Sequence, residues 1–119
     1  MDHELAELDA GLQVADLLLH RCPWPLVIGT SENWHVVSRS FATSIGYTRR
    51  ELESMHWTDV VASTEIQSVK QELLDVEEFM RTTEITIGYR HRKGGQVHVV
   101  WSWGPANESG FSVAVGRFV

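Results

Sequence analysis

Six histidines, one cysteine and a few acids and phenols are the residues of this chain that could carry chemistry. A structural zinc site needs ligands in close register, such as C-x-x-C or H-x-x-x-H, and neither spacing occurs. His20 and Cys22 stand two apart beside Pro23, and His91 and His98 flank the Gly94-Gly95 pair. Each histidine reads as a hydrogen-bonded ring rather than a ligand, and no metal site is assigned. Cys22 reads as a small buried apolar residue, since nothing beside it favours its thiolate. Asp59, His56, Tyr47 and Tyr89 are the types that small isomerases and hydrolases use for acid–base work, but no spacing brings them together. No nucleophile elbow, phosphate loop or paired carboxylates are present, so the chain is not expected to be an enzyme and no catalytic residue is assigned.

The elements that must position these residues are well punctuated. From Ser38 to Leu52 the chain reads as two short helices around a glycine stop. Ser38 or Ser40 is placed to cap the first helix, and Gly46 supplies the left-handed backbone that ends it. Thr48 caps the second, with Glu51 completing a capping box. Phe41 and Ile45 lie four apart and share one helical face. An apolar hairpin precedes this stretch, Leu26-Val27-Ile28 and Val36-Val37 joined by Thr30-Ser31-Glu32-Asn33. Trp57 to Val61 reads as a further turn, and Thr64 with Gln67 as the capping box of a long helix. In that helix Ile66, Val69, Leu73, Val76 and Met80 recur at threes and fours. Three strands are predicted after it, over Thr82 to His91, Val97 to Gly104 and Gly110 to Phe118.

The first 22 residues form a segment of their own. Leu5, Leu8, Leu12, Ala15 and Leu19 make an a/d seam, and Pro23 and Pro25 forbid its continuation. Two to three heptads are too few for a free coiled coil, so the helix must pack on something. The readings are a cover for the domain's own core, or a cover for a sheet face that also pairs with its copy; the second is favoured.

The phrase S-x-x-F-x-x-x-x-G-Y-T-x-x-E-L over residues 38–52, set between a hairpin and a long helix, resembles the PAS domain family. Arg92-Lys93-Gly94-Gly95 is similar to the family's R-K-D-G hairpin, with glycine in the aspartate's place. The resemblance implies an α+β fold: a five-stranded antiparallel sheet with short helices and one long helix on one face, plus the N-terminal amphipathic helix. The organisation is then 1–22 as a dimerisation or cap helix and 23–119 as the PAS domain. The function it implies is a sensory module that binds a small ligand and relays the event through a dimer to an output domain or partner. The alternative is a ligand-free module for dimerisation and protein docking.

Strand faces depend on the register of the last hairpin but one. A two-residue Gly94-Gly95 loop would pair His91 with His98 and set Ile85, Ile87 and Tyr89 opposite the tryptophan face. A three-residue loop with a bulge instead unites Ile85, Ile87, Tyr89, Val97, Val99, Trp101 and Trp103 on one face, and this register sorts apolar from polar more cleanly. Bare tryptophans would form a large exposed patch, so Trp101 and Trp103 are expected under the leucine seam at a dimer interface with Leu5, Leu8, Leu12, Ala15 and Leu19. By resemblance the inner, ligand-binding face is then Gly88, Arg90, Val100 and Ser102, with Val27, Gly29, Phe41, Ile45, Trp57, Val69 and Leu73. An inward Arg90 would be paired internally, for example with Glu84, or would escape to solvent at the strand end; the sharper reading is a clamp for an anionic ligand.

The cofactor is left open. Trp57 stands where light sensors of the family carry their flavin-reactive cysteine, and Arg90 and Val100 stand where asparagines hold the flavin ring. Residues 64–80 contain no histidine to ligate haem in the family's usual way. Flavin adduct chemistry and helix-histidine haem ligation are therefore disfavoured. The chain of 119 residues carries a net charge of -6 and no basic stripe, so contact with nucleic acid is not expected. No apolar run approaches 18 residues and no signal peptide is visible, and one cysteine suits a reducing cytoplasm. A homodimer with a fused or separate signalling output domain is expected. The last strand stops where relatives continue into a signalling helix, with Phe118 in place of their aspartate, which suits a domain excised from a longer regulator.

Overall fold

A computed structural model describes Leu17, residues 19–30 and residues 32–119. Most of the leucine seam, including Leu5, Leu8, Leu12 and Ala15, lies outside the described residues. Residues 19–21 are helical, and the helix stops before Pro23.

Five strands form one antiparallel sheet: β1 (Leu26–Gly29), β2 (Trp34–Val37), β3 (Thr83–Arg90), β4 (Gln96–Trp103) and β5 (Ser112–Phe118), in the spatial order β2-β1-β5-β4-β3. Three helices lie between β2 and β3: α1 (Arg39–Ser44), α2 (Arg49–Glu53) and α3 (Ile66–Phe79), with a 3-10 turn at Trp57–Asp59. The architecture is the expected α+β one.

Local chemistry explains the first half. The β1–β2 register shifts after Ile28, and a Cβ on Gly29 would fall 2.4 Å from the Asn33 carbonyl, so only glycine fits this bulge. Ser38 is fully buried, and its hydroxyl accepts the Phe41 and Leu26 N–H groups while donating to the Trp24 carbonyl. It thereby caps α1 and ties β1 to it. Gly46 follows α1 with φ 88°, and a Cβ there would meet the His91 ring at 2.9 Å. Thr48 and Glu51 form the capping box of α2. Glu51 also pairs with Arg92 at 2.7 Å, and the Arg92 guanidinium lies 5.1 Å from the Tyr47 ring centre. The two phrases that carried the family resemblance therefore touch each other in space.

The start of α3 differs from expectation. Its N-cap is Glu65, with no side-chain capping bond, and Thr64 does not serve. The Glu65 carboxylate instead reaches the β3 edge and accepts the Gly88 N–H at 3.1 Å. That edge is otherwise covered by the segment Val60–Ala62, which exchanges backbone bonds with Gly88 and Arg90. Val69 and Val76 face the core, whereas Met80 caps the helix with left-handed backbone and is exposed.

The β3–β4 hairpin has the three-residue loop, Arg92-Lys93-Gly94, with Gly94 and Gly95 at positive φ. Ile85 pairs with Trp101, Ile87 with Val99 and Tyr89 with Val97, so the expected set does share one face. The side that this face meets is reversed. Ile85, Tyr89 and Trp101 are buried, and Phe41 of α1 packs edge-on against Tyr89 at 4.9 Å and Trp101 at 5.2 Å. Large rings are what fills the gap between a sheet and its helices at native density. Trp101 thus belongs to the core rather than to an outer interface. The opposite face carries Leu26, Ile28, Val36 and Val100 half-buried, with Val113 and Val115 exposed.

Candidate functional site

The face reversal redistributes the residues expected to line a cavity. Val27, Phe41, Ile45 and Val69 do lie on the helical side, but they are packed solid in the core. Gly29 is taken up by its bulge. Gly88 lies on the outer face, where a Cβ would collide with the Glu65 carboxylate and crowd the His98 ring. Val100 and Ser102 share that face. Arg90 is exposed and donates to the Asp59 carbonyl, while Glu84 pairs with Arg117 at 3.3 Å. Arg90 therefore takes the route to the strand end.

A cavity of about 710 Å³ exists at one end of the sheet, between α3, the 3-10 turn and the loops beyond β1 and β4. This volume suits a small organic ligand. Of the expected residues, Trp57 and Leu73 line it, and they are joined by Trp34, Trp103, His56, Lys70, Leu74 and Glu77, with Thr30, Ala106, Gly110 and Ser112 at the loops. Trp103, expected at an interface, is a wall of this cavity.

Each wall is held from behind. Trp34 opens β2 and meets Phe41 edge-on at 5.5 Å. Trp103 closes β4 and leans on Trp101 at 6.3 Å. His56 stacks on Trp57 at 5.8 Å, and its Nδ1 accepts the Thr58 N–H at 3.2 Å, which caps the 3-10 turn. On α3 the spacing Lys70, Leu73, Leu74 and Glu77 is i, i+3, i+4, i+7, a second stripe beside the core stripe. Leu74 is 62% exposed although apolar, and its place off the spacing of Ile66, Val69, Leu73 and Val76 was the available sequence signal for this stripe. The Glu77 Oε1 accepts the Ala106 N–H at 2.7 Å and pins the β4–β5 loop to the helix.

Behind the cavity the core holds a buried polar pair. The Trp101 indole N–H donates to the Tyr89 hydroxyl at 2.8 Å. Burial pushes the Tyr89 hydroxyl far above the ordinary tyrosine range, the Glu65 charge adds to this, and the Trp101 bond opposes it. Tyr89 is thus a neutral structural phenol. Tyr47 lies over Arg92, and the Asp59 carboxylate accepts the His56 backbone N–H rather than its ring. The four acid–base candidates do not converge on one another. Among the described residues no group of three or more His, Cys, Asp or Glu is placed to hold a metal ion. No helix among them is long and apolar enough to cross a membrane.

No protein-family model matches the chain. No curated protein matches it in sequence. Solved structures do match. A PAS domain of an HTR-like protein from Haloarcula marismortui superposes with a TM-score of 0.78 at 14% identity, covering 100% of both chains. A domain of a sensory box sensor histidine kinase/response regulator from Geobacter sulfurreducens gives 0.70 at 19% identity over 92% of this chain and 96% of that one. The PAS domain of a LuxR-family transcriptional regulator from Burkholderia thailandensis, solved in complex with ethanol, gives 0.73 at 11% identity over 87% and 95%. The chain has the PAS fold.

Proposed function

We propose that this chain is a cytoplasmic sensory module, without catalysis of its own, that binds a small organic ligand in the tryptophan-walled cavity and relays occupancy through a homodimer to an output domain or partner. The observation that carries the reading is the cavity itself. Its wall includes the half-buried Trp103 and the exposed Leu74, apolar surface that is costly unless something covers it. The superposed domains from a sensor kinase and a transcriptional regulator supply the context of signalling.

For the relay, the outer sheet face with Val113 and Val115 exposed is the surface offered. The seam of Leu5, Leu8, Leu12, Ala15 and Leu19 is the segment of this chain whose apolar pattern suits it. A second reading, docking without a ligand, draws on the solid packing of Phe41, Tyr89 and Trp101. Native mass spectrometry with an absorption spectrum of the purified protein separates the two. Added mass on the protein, lost on Trp57→Ala, supports sensing. A clean apo mass together with no shift of melting temperature across a small-molecule library supports docking. A dimer that survives both Leu12→Glu and Val115→Glu overturns the proposed interface.

A further inference from the structure

Taking the cavity as a ligand site, we propose that its ligand is a flat aromatic carboxylate, with the ring against the Trp103 indole and the carboxylate on Lys70. The walls set the first half of this class. Trp103 presents a half-buried ring to the slot, backed by the almost wholly buried Trp34 and Trp57, and a flat ring gains from offset or edge-on contact with it. Leu73 and Leu74 close the helical side without any polar atom.

The charges set the second half. Lys70, Glu77 and His56 are the ionisable side chains among the lining residues. Glu77 is engaged with the Ala106 N–H, and His56 with the Thr58 N–H through Nδ1. Lys70 makes no hydrogen bond or ion pair among the described residues. Seven residues along a helix separate Lys70 from Glu77 by roughly 10 Å of rise, two turns with the leucines between. The two charges therefore do not cancel, and the lysine end offers an unpaired ammonium beside an apolar slot. An ammonium is matched by a carboxylate, and a charge-assisted bond is stronger than one between neutral groups. Glu77 keeps a second carboxylate oxygen beside its bond to the Ala106 N–H, so a cationic ligand is the rival class that tryptamine tests.

The test uses three probes of one shape, indole-3-acetate, indole-3-acetamide and tryptamine, titrated calorimetrically into the full chain. The acid is expected to bind at least about 10-fold tighter than its neutral amide, which at roughly 1.4 kcal/mol is one charge-assisted bond. Lys70→Gln should bring the acid down to the amide's level and leave the amide unchanged, while Lys70→Arg should retain most of the preference. Lys70 is exposed on α3 and all three residues are good helix formers, so these variants fold. Equal binding of acid and amide, tighter binding of tryptamine, or an acid preference untouched by Lys70→Gln overturns the ligand class while leaving the cavity a binding site. No binding of any probe also overturns it, while the sensing reading stands or falls separately on the apo mass and the library melts.

Discussion

The inner face of the sheet has two ends that use the same residue type in opposite ways. At one end Trp101 is fully buried, clasped by Phe41 and Tyr89, with its N–H satisfied by the phenol. At the other end Trp103, Trp34 and Trp57 border a cavity that a small molecule would fill. Trp101 and Trp103 are two residues apart on β4, and their rings touch edge to face at 6.3 Å. Indole chemistry is therefore not what distinguishes a core from a site. The difference is what stands opposite: α1 presses Phe41 onto Trp101 and onto the buried Trp34, whereas Trp103 looks across the cavity to the stripe of α3 that places Leu74 near solvent. Closed packing stabilises the fold, and open packing leaves surface for a ligand.

The largest effect should come from the closed end. Trp101→Ala removes a ring held on every side and should cost about 3–5 kcal/mol, read as a lowered denaturant midpoint. For a chain of this size that approaches the whole stability. A loss below about 1 kcal/mol would mean that the closed end is as loose as the open one.

Adding volume at the closed end should also hurt. A Cβ on Gly116 would stand 2.8 Å from Val99 Cγ1 and 2.9 Å from Trp101 Cε3. Gly116→Ala should destabilise by about 1–3 kcal/mol by overpacking. Were it neutral or stabilising, the ring bed around Trp101 would have slack that the packing denies.

The buried phenol supplies a comparable effect with a pH signature. Tyr89→Phe strands the Trp101 N–H and should cost about 1–3 kcal/mol near neutral pH. The Tyr89 pKa is raised on folding, so its contribution is whole below the unfolded value of about 10 and is lost as pH rises above it. There the unfolded chain releases a proton that the folded chain keeps, and stability falls by up to about 1.4 kcal/mol per pH unit. The gap between wild type and Tyr89→Phe should therefore narrow above pH 10, as urea midpoints at pH 9, 10 and 11 would show. A constant gap would place the phenol in contact with water.

Some of this contrast is legible in the chain and some is not. Ser38, Gly46 and the Thr48–Glu51 box are readable because caps and left-handed stops are local chemistry. The face-sharing of Ile85, Tyr89 and Trp101 is readable because side chains alternate with period two. Alternation sorts residues into two sets without saying which set meets the helices. Both sets have a plausible cover in the sequence, a leucine seam before the domain and an apolar stripe after Trp57. The volume between sheet and helices decides, and only rings fill it. The cavity is harder still, because its indoles come from β2, the 3-10 turn and the end of β4, which only the fold brings together. Leu74 was the one local clue, an apolar residue off the core stripe.

The smallest effect on stability is expected at the open end, and it is the sharpest test of the contrast. Trp103 pairs with Thr83 and Ala114 at the end of β4, is half-buried, and looks onto the cavity that separates it from the α3 stripe. Trp103→Ala should cost about 1 kcal/mol, near the middle of the range for point changes, because few contacts are removed and water already reaches the site. The same change should weaken an indole-sized ligand by about 10-fold, a loss of roughly 1.4 kcal/mol in binding. Thermal melts with and without ligand separate the two terms, since a bound ligand adds stability in proportion to its affinity. Should Trp103→Ala instead unfold the protein as Trp101→Ala does, both indoles serve the core and the distinction between the ends collapses.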